Sequence, residues 1–177
     1  GPLQILELPG DYPRPALMTD HGASCWKTLD HGLVQKLRHL ADRFDVTMFM
    51  VLIAMYKILL FRYSGKDDII VGIPTANREQ VEIENLIGFF VNTIAMRTDL
   101  SANPTFVDLL ARVRETSLQA FTNQDVPFEA IIESLNLQRD ASRSPVFQVM
   151  FIFQNTPAVK DTGDHDSPEE WNVKQVI

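Results

Sequence analysis

An α/β fold, helices packed against a small sheet, is what the 177-residue sequence predicts. Three observations lead there. Residues 46–61 are apolar apart from Thr47 and Lys57, long enough for a buried helix yet short of the roughly 20 residues a membrane span needs. Apolar runs at 69–73, 89–97 and 146–153 have the length and the β-branched and aromatic content of strands. Around them, apolar residues recur at intervals of three and four, the period of an amphipathic helix. The order is helix, helix, strand, strand, helix, helix, strand.

Taken in turn, residues 3–23 carry Pro9, Pro13, Pro15, Gly10 and Gly22, too much punctuation for a long element, and are expected to wrap the domain as an extended linker. Asp30 can cap a helix over 31–44, whose inward positions are Leu33, Leu37, Leu40 and Phe44. The apolar stretch then forms a central helix over 47–63, filled out by Met48, Met50 and Met55. Residues 69–73 read as a strand covered on both faces and stopped by Pro74, and 75–86 as a polar loop with at most a helical turn. In the strand 89–97, alternation puts Phe90, Asn92, Ile94 and Met96 on one face and Val91, Thr93, Ala95 and Arg97 on the other. Asn103-Pro104 opens the next helix, with Phe106, Leu109, Leu110, Val113 and Phe121 inward. Asp125, Pro127 and Glu129 begin a shorter helix whose apolar face is Phe128, Ile131, Ile132 and Leu135. Residues 146–153 close as another apolar strand. Beyond Gln154 the chain turns polar and acidic, and 157–177 is expected to be a mobile tail.

Composition limits the function classes. A net charge of −7, from 16 basic and 23 acidic residues, repels nucleic acid and anionic membranes. Cys25 stands alone, so no internal disulfide forms; with no signal-peptide layout, this points to the cytoplasm. Gly1-Pro2 reads as the scar of a cleaved tag. Asp161, Asp164, His165, Asp166 and Glu169 lie among Gly and Pro, where clustered acids are solvated rather than metal-binding.

Three phrases carry the functional information: Ile87-Gly88-Phe89-Phe90-Val91-Asn92-Thr93 with Arg97, then Asn123-Gln124-Asp125-Val126-Pro127-Phe128-Glu129, then Arg139-Asp140-Ala141-Ser142-Arg143-Ser144-Pro145. In that order and spacing they resemble the last three signature motifs of the condensation domains of non-ribosomal peptide synthetases. Ser144 departs slightly, standing where the family more often has Asn. The resemblance implies half of a chloramphenicol-acetyltransferase-like fold, two α/β lobes in a V around a tunnel that admits phosphopantetheine arms. Leu6-Glu7-Leu8-Pro9 resembles the bridge between the lobes. Such domains let an amine attack a carrier-bound thioester, using a His-His-x-x-x-Asp-Gly motif upstream. His21, His31, His39 and His165 include no adjacent pair. The chain therefore reads as the C-terminal subdomain, 24–156, without the catalytic motif, and as ending before the family's further strands.

A thioester is already activated, so the catalyst must chiefly hold a neutral amine near the carbonyl and stabilise developing charge in a water-poor channel. By the resemblance, this half supplies a channel wall and a carrier-docking surface. Asn92 is the candidate facing the channel, with Phe90, Gly88 and Thr93 beside it, because a carboxamide both donates and accepts without changing charge. Its rival role is to satisfy backbone groups in a bend after Gly88. Gly88 suits close backbone approach. Arg97, Gln124, Asp125, Pro127 and Glu129 read as structural, the acids as helix-start residues rather than an acid-base pair. Arg139, Asp140, Ser142 and Arg143 read as an anchoring turn before Pro145.

The partners implied are an N-terminal condensation subdomain, peptidyl carrier proteins and an adjacent adenylation domain. No covalently held cofactor is implied; the phosphopantetheine arms arrive as substrates. Two other readings stand beside this one, a carrier-docking module without chemistry and a self-sufficient small acyltransferase, which would need a base. Phe90-Val91-Asn92-Thr93 resembles the condensation version of its motif more than the epimerisation or heterocyclisation versions. The inter-lobe face should be apolar and prone to self-association.

Overall fold

The computed structural model describes residues 3–77, 86–137 and 140–154 and the backbone of 172–176. Gly1 and Pro2, most of the expected loop (78–85), Arg139 and residues 157–171 of the expected tail, with its acidic cluster, lie outside the described residues. The elements are β1 (Ser24–Thr28), α1 (His31–Arg43), α2 (Met48–Ser64), β2 (Asp68–Thr75), β3 (Asn92–Asp99), α3 (Phe106–Thr122), α4 (Phe128–Leu135) and β4 (Asn172–Val176).

Helix starts follow side-chain chemistry. The Asp30 carboxylate accepts from Leu33 N–H at 3.0 Å, and the Thr47 hydroxyl from Met50 N–H at 3.2 Å. Gly65, at φ 68°, closes α2 in the left-handed region that favours glycine. Pro104 does not enter α3. Thr105 caps it instead, in a reciprocal box with Asp108 that satisfies two orphan N–H groups. The α4 start also differs: Asp125 lies outside the helix, and Pro127 occupies the cap position with no side chain to offer.

Strand β2 is the hub of the main sheet. It pairs antiparallel with β3, Asp68 opposite Asp99 through Thr75 opposite Asn92. On its other edge, Gly72 N–H donates to Val149 O (3.0 Å) and Phe151 N–H donates to Gly72 O (2.9 Å), forming a parallel bridge to Met150. Pro74 does not end β2. The Leu100 N–H to Asp67 O bond sets the alternation of the ladder, which puts Pro74 and Thr93 at a non-hydrogen-bonded pair, so its missing donor breaks no rung there.

Both faces of β2 are covered, as a continuous apolar run requires. Ile69, Val71 and Ile73 join Val51, Ile53, Ala54, Met96, Leu110 and Val113 in the main core between the sheet and α2 and α3. Ile70 faces the opposite side, in a second cluster with Val146 and Phe147, against which Leu3, Phe128 and Ile132 pack. Leu6 of the N-terminal segment is buried in the main core.

Other expectations change too. Strand β3 begins at Asn92, not Phe89, although its alternation holds, with Ile94, Met96 and Thr98 buried and Arg97 and Asp99 exposed. Residues 146–153 form only the short bridge at Met150, and 150–153 are covered on one face: Phe151 and Phe153 pack on Phe49 while Met150 and Ile152 stay exposed. Met55 is exposed on the outward side of α2, unlike buried Met50, and Leu33 is exposed on α1 where Val34, Leu37 and Ala41 are buried. Strands β1 and β4 pair with each other, Ser24 opposite Val176, the first where no element was expected and the second within the expected mobile tail. All five β1 residues are exposed, so no burial pattern marked that strand.

Candidate functional site

Asn92, the first residue of β3, joins two of the three motifs. Its Nδ2 donates to Gln124 O at 2.6 Å and Val126 O at 2.8 Å, and its Oδ1 accepts from Phe128 N–H at 3.2 Å. Both donors are thereby committed to the corner between α3 and α4. The backbone-satisfying role is the one the carboxamide performs, with the bend supplied by the second motif rather than by Gly88. The Phe128 bond also supplies what Pro127 cannot, an acceptor for an N–H at the start of α4.

Upstream, the first motif leaves the sheet. Leu86, Ile87, Phe89 and Val91 are exposed, Ile87 and Phe89 almost completely, whereas Phe90 is half-buried. A Cβ on Gly88 would stand 2.9 Å from Phe90 Cε2, the close approach that favours glycine. Thr93 is half-buried opposite Pro74. Arg97 projects from the exposed face and forms a fork-to-fork pair with Asp68 at 2.8 and 2.7 Å, which raises its pKa. Of the second motif, Gln124 contributes its carbonyl, and Asp125 and Glu129 are exposed. Glu129 sits in the first turn of α4, where the helix dipole favours it.

The third motif is a clamp. Asp140 Oδ1 accepts from Ser142 N–H (2.9 Å) and Ser142 Oγ–H (2.6 Å), and Oδ2 pairs with Arg143 Nε at 2.8 Å. Those serine hydrogen bonds hold the Asp140 carboxyl below the usual carboxylate range. Arg143 reaches Glu7 at 3.1 Å, Leu6 N–H donates to Gln148 Oε1 at 2.8 Å, Arg14 donates to Ser142 O at 3.3 Å, and Met18 N–H donates to Ala141 O at 2.9 Å. The turn thus fastens the N-terminal segment to the body. Val146, directly after it, has φ 67°, a strained region for a β-branched residue.

Two features lie outside the sequence expectations. Lys57 is fully buried beneath the sheet, donating to Met96 O at 2.9 Å and Thr98 Oγ1 at 2.6 Å. Desolvation lowers its pKa to about 7 against the opposing pull of Asp68. Gly72 lies under the Phe147 ring, where a Cβ would meet ring carbons at 2.4–2.8 Å. The signals were a cation inside an apolar run and a glycine inside a strand.

His21, His31 and His39 are all exposed, and Cys25 is exposed on β1. Two shallow depressions are open to solvent, one lined by Gln4, Asp67, Asp68, Arg97, Asp99 and Ser101, the other between α1, α2 and α3. No three metal-ligating side chains cluster among the described residues, and no single helix is long and apolar enough to cross a membrane.

The family model for the condensation domain matches residues 1–176. One of the linear gramicidin synthase proteins of Brevibacillus parabrevis is 54% identical over 151 residues, covering 85% of this chain and 2% of that protein. Surfactin synthase subunit 1 of Bacillus subtilis is 44% identical over 176 residues, covering 98% of this chain and 5% of that protein. The chain therefore spans a small fraction of these relatives' length. Among solved structures, a four-domain nonribosomal peptide synthetase bound to AMP and glycine superposes with a TM-score of 0.82 at 28% identity, over 86% of this chain and 12% of that one. The X-domain from teicoplanin biosynthesis gives 0.79 at 36% identity, over 85% of this chain and 33% of that one. With the three motifs placed on the strand, corner and clamp just described, the chain belongs to the condensation-domain family of nonribosomal peptide synthetases.

Proposed function

We propose that this chain is the C-terminal subdomain, residues 24–156 with the 3–23 linker, of a condensation domain that forms peptide bonds between carrier-bound aminoacyl and peptidyl thioesters. The observation that carries this reading is the convergence of the motifs. Asn92 ties the first to the second, the third fastens the linker, and within the first an apolar ribbon of Ile87, Phe89 and Val91 stands open to solvent. An apolar, water-excluding wall is what an acyl-transfer channel needs opposite its base. Gly88, Phe90, Asn92 and Thr93 border that wall; Arg97 with Asp68, and Asp140, Ser142 and Arg143, keep its supports in place.

The imidazole of the reaction would come from an N-terminal condensation subdomain outside these residues. Peptidyl carrier proteins would bring the phosphopantetheine-linked substrates, with an adenylation domain adjacent and the cytoplasm as the setting. Exposed Met150 and Ile152, with the 87–91 ribbon, favour self-association when the partner subdomain is absent. Mixing this chain with a separately produced N-terminal subdomain and loaded carriers tests the proposal by mass detection of amide product. Product from the pair and none from either alone is expected. Product from this chain alone would establish a self-sufficient acyltransferase, and carrier binding that never yields product with the partner would leave a docking module.

A further inference from the structure

We infer that Asn92 is a positioning residue that acts through the α3–α4 corner: it caps α4 from a different element, and the reaction feels it only through that corner. The role as it bears on the reaction rests on the function proposed above; the capping itself does not.

Helix α4 begins with a deficit. A helix start leaves N–H groups without intrahelical acceptors, and a side-chain oxygen at the cap position ordinarily takes one of them. Here Pro127 holds that position, and it has no such oxygen. The acceptor comes from 36 residues upstream, where Asn92 Oδ1 receives Phe128 N–H at 3.2 Å. The same carboxamide turns both its N–H bonds to the corner, reaching Gln124 O at 2.6 Å and Val126 O at 2.8 Å. These three bonds need a planar group with two donors beside one acceptor, which only a carboxamide supplies at this length. Aspartate would set acceptor against two carbonyl oxygens, and leucine would leave all three backbone groups without this partner.

What the corner carries gives the bonds their consequence. Phe128 starts α4 and packs its ring on Phe147 at a centroid distance of 5.2 Å, in the cluster that covers the outer face of β2. Val126, whose carbonyl Asn92 holds, is an exposed apolar residue next to the strand that leads back to exposed Val91, Phe89 and Ile87. Fixing Asn92 fixes how the second motif stands relative to the first. A group whose two donors are spent on the fold has none left for an acyl oxygen, which separates this role from direct contact with substrate.

The test uses the parent synthetase, with hydrogen exchange of peptides spanning 124–135 and amide-forming turnover read on each variant. Asn92→Ala should speed exchange in that segment by roughly 5- to 30-fold, the loss expected for a removed cap, with turnover falling alongside; Asn92→Asp should do at least as much. Phe128→Ala, which loosens the same corner on its Phe147 side, should by itself raise exchange and lower turnover, and should add little to Asn92→Ala. The inference is overturned if Asn92→Ala leaves exchange unchanged, if exchange rises while turnover holds, or if the turnover losses of Asn92→Ala and Phe128→Ala multiply in full in the double variant. In the last case Asn92 acts on the reaction by a route other than the corner. A wild-type protein that makes no amide would sink the function proposed above and leave the exchange arm standing.

Discussion

Replacing Gly72 by Ala sets two effects of opposite sign against each other, and the structure decides between them. Alanine removes backbone freedom from the unfolded chain, which at a compatible site stabilises by about 0.4–1 kcal/mol. Against this, the new Cβ would stand 2.4, 2.5 and 2.8 Å from Phe147 Cε2, Cζ and Cδ2, well inside the roughly 3.5–4.0 Å of a carbon contact. Phe147 is 6% exposed and backed by the Phe128 ring at 5.2 Å, so it has little room to retreat. Overpacking of this kind costs about 1–3 kcal/mol, leaving Gly72→Ala a net loss of about 1–2 kcal/mol. The sign should reverse when the obstacle goes. Phe147→Val removes all three contacting carbons, and in that background Gly72→Ala should be neutral or stabilising. Urea unfolding of the four proteins of this cycle, compared by midpoint at constant slope, measures it. Additive losses, or a single Gly72→Ala variant as stable as the parent, would refute the packing argument.

Lys57→Met tests the buried amine. The folded-state pKa of about 7 lies below the ordinary value of 10.5, so unfolding takes up a proton between those limits, and stability should rise with pH from about 7 to 10.5 and stay flat below 7. The slope approaches about 1.4 kcal/mol per pH unit for one proton and should vanish in Lys57→Met, as read from unfolding midpoints across that window. Arg143→Ala removes contacts to Glu7 and Asp140, and limited proteolysis should then cut residues 8–18 faster while the 48–64 helix stays protected; unchanged cleavage would count against the clamp. Thr105→Ala loses one half of the capping box and should lower stability by about 1 kcal/mol, measured by thermal melting.

Much of this protein is set locally. The apolar run with Thr47 before it and Gly65 after it determines α2, because a helix needs only its own residues and its caps. Alternation along β3 fixes which side chains are inward whatever the sheet packs against. The motifs that carry family membership are local too, and so are the Asx turn and the Asp140–Arg143 pair inside the third of them. Tertiary structure decided what these pieces do to one another. The bonds of Asn92 span 32 to 36 residues, that of Arg143 to Glu7 spans 136, and the partner of β1 lies at the far end of the chain. No periodicity encodes such pairings. The same holds for coverage: residues 150–153 are apolar on both faces, yet only the side toward Phe49 and Tyr56 is packed, because side-chain character states what a surface prefers and only three-dimensional placement determines what lies against it.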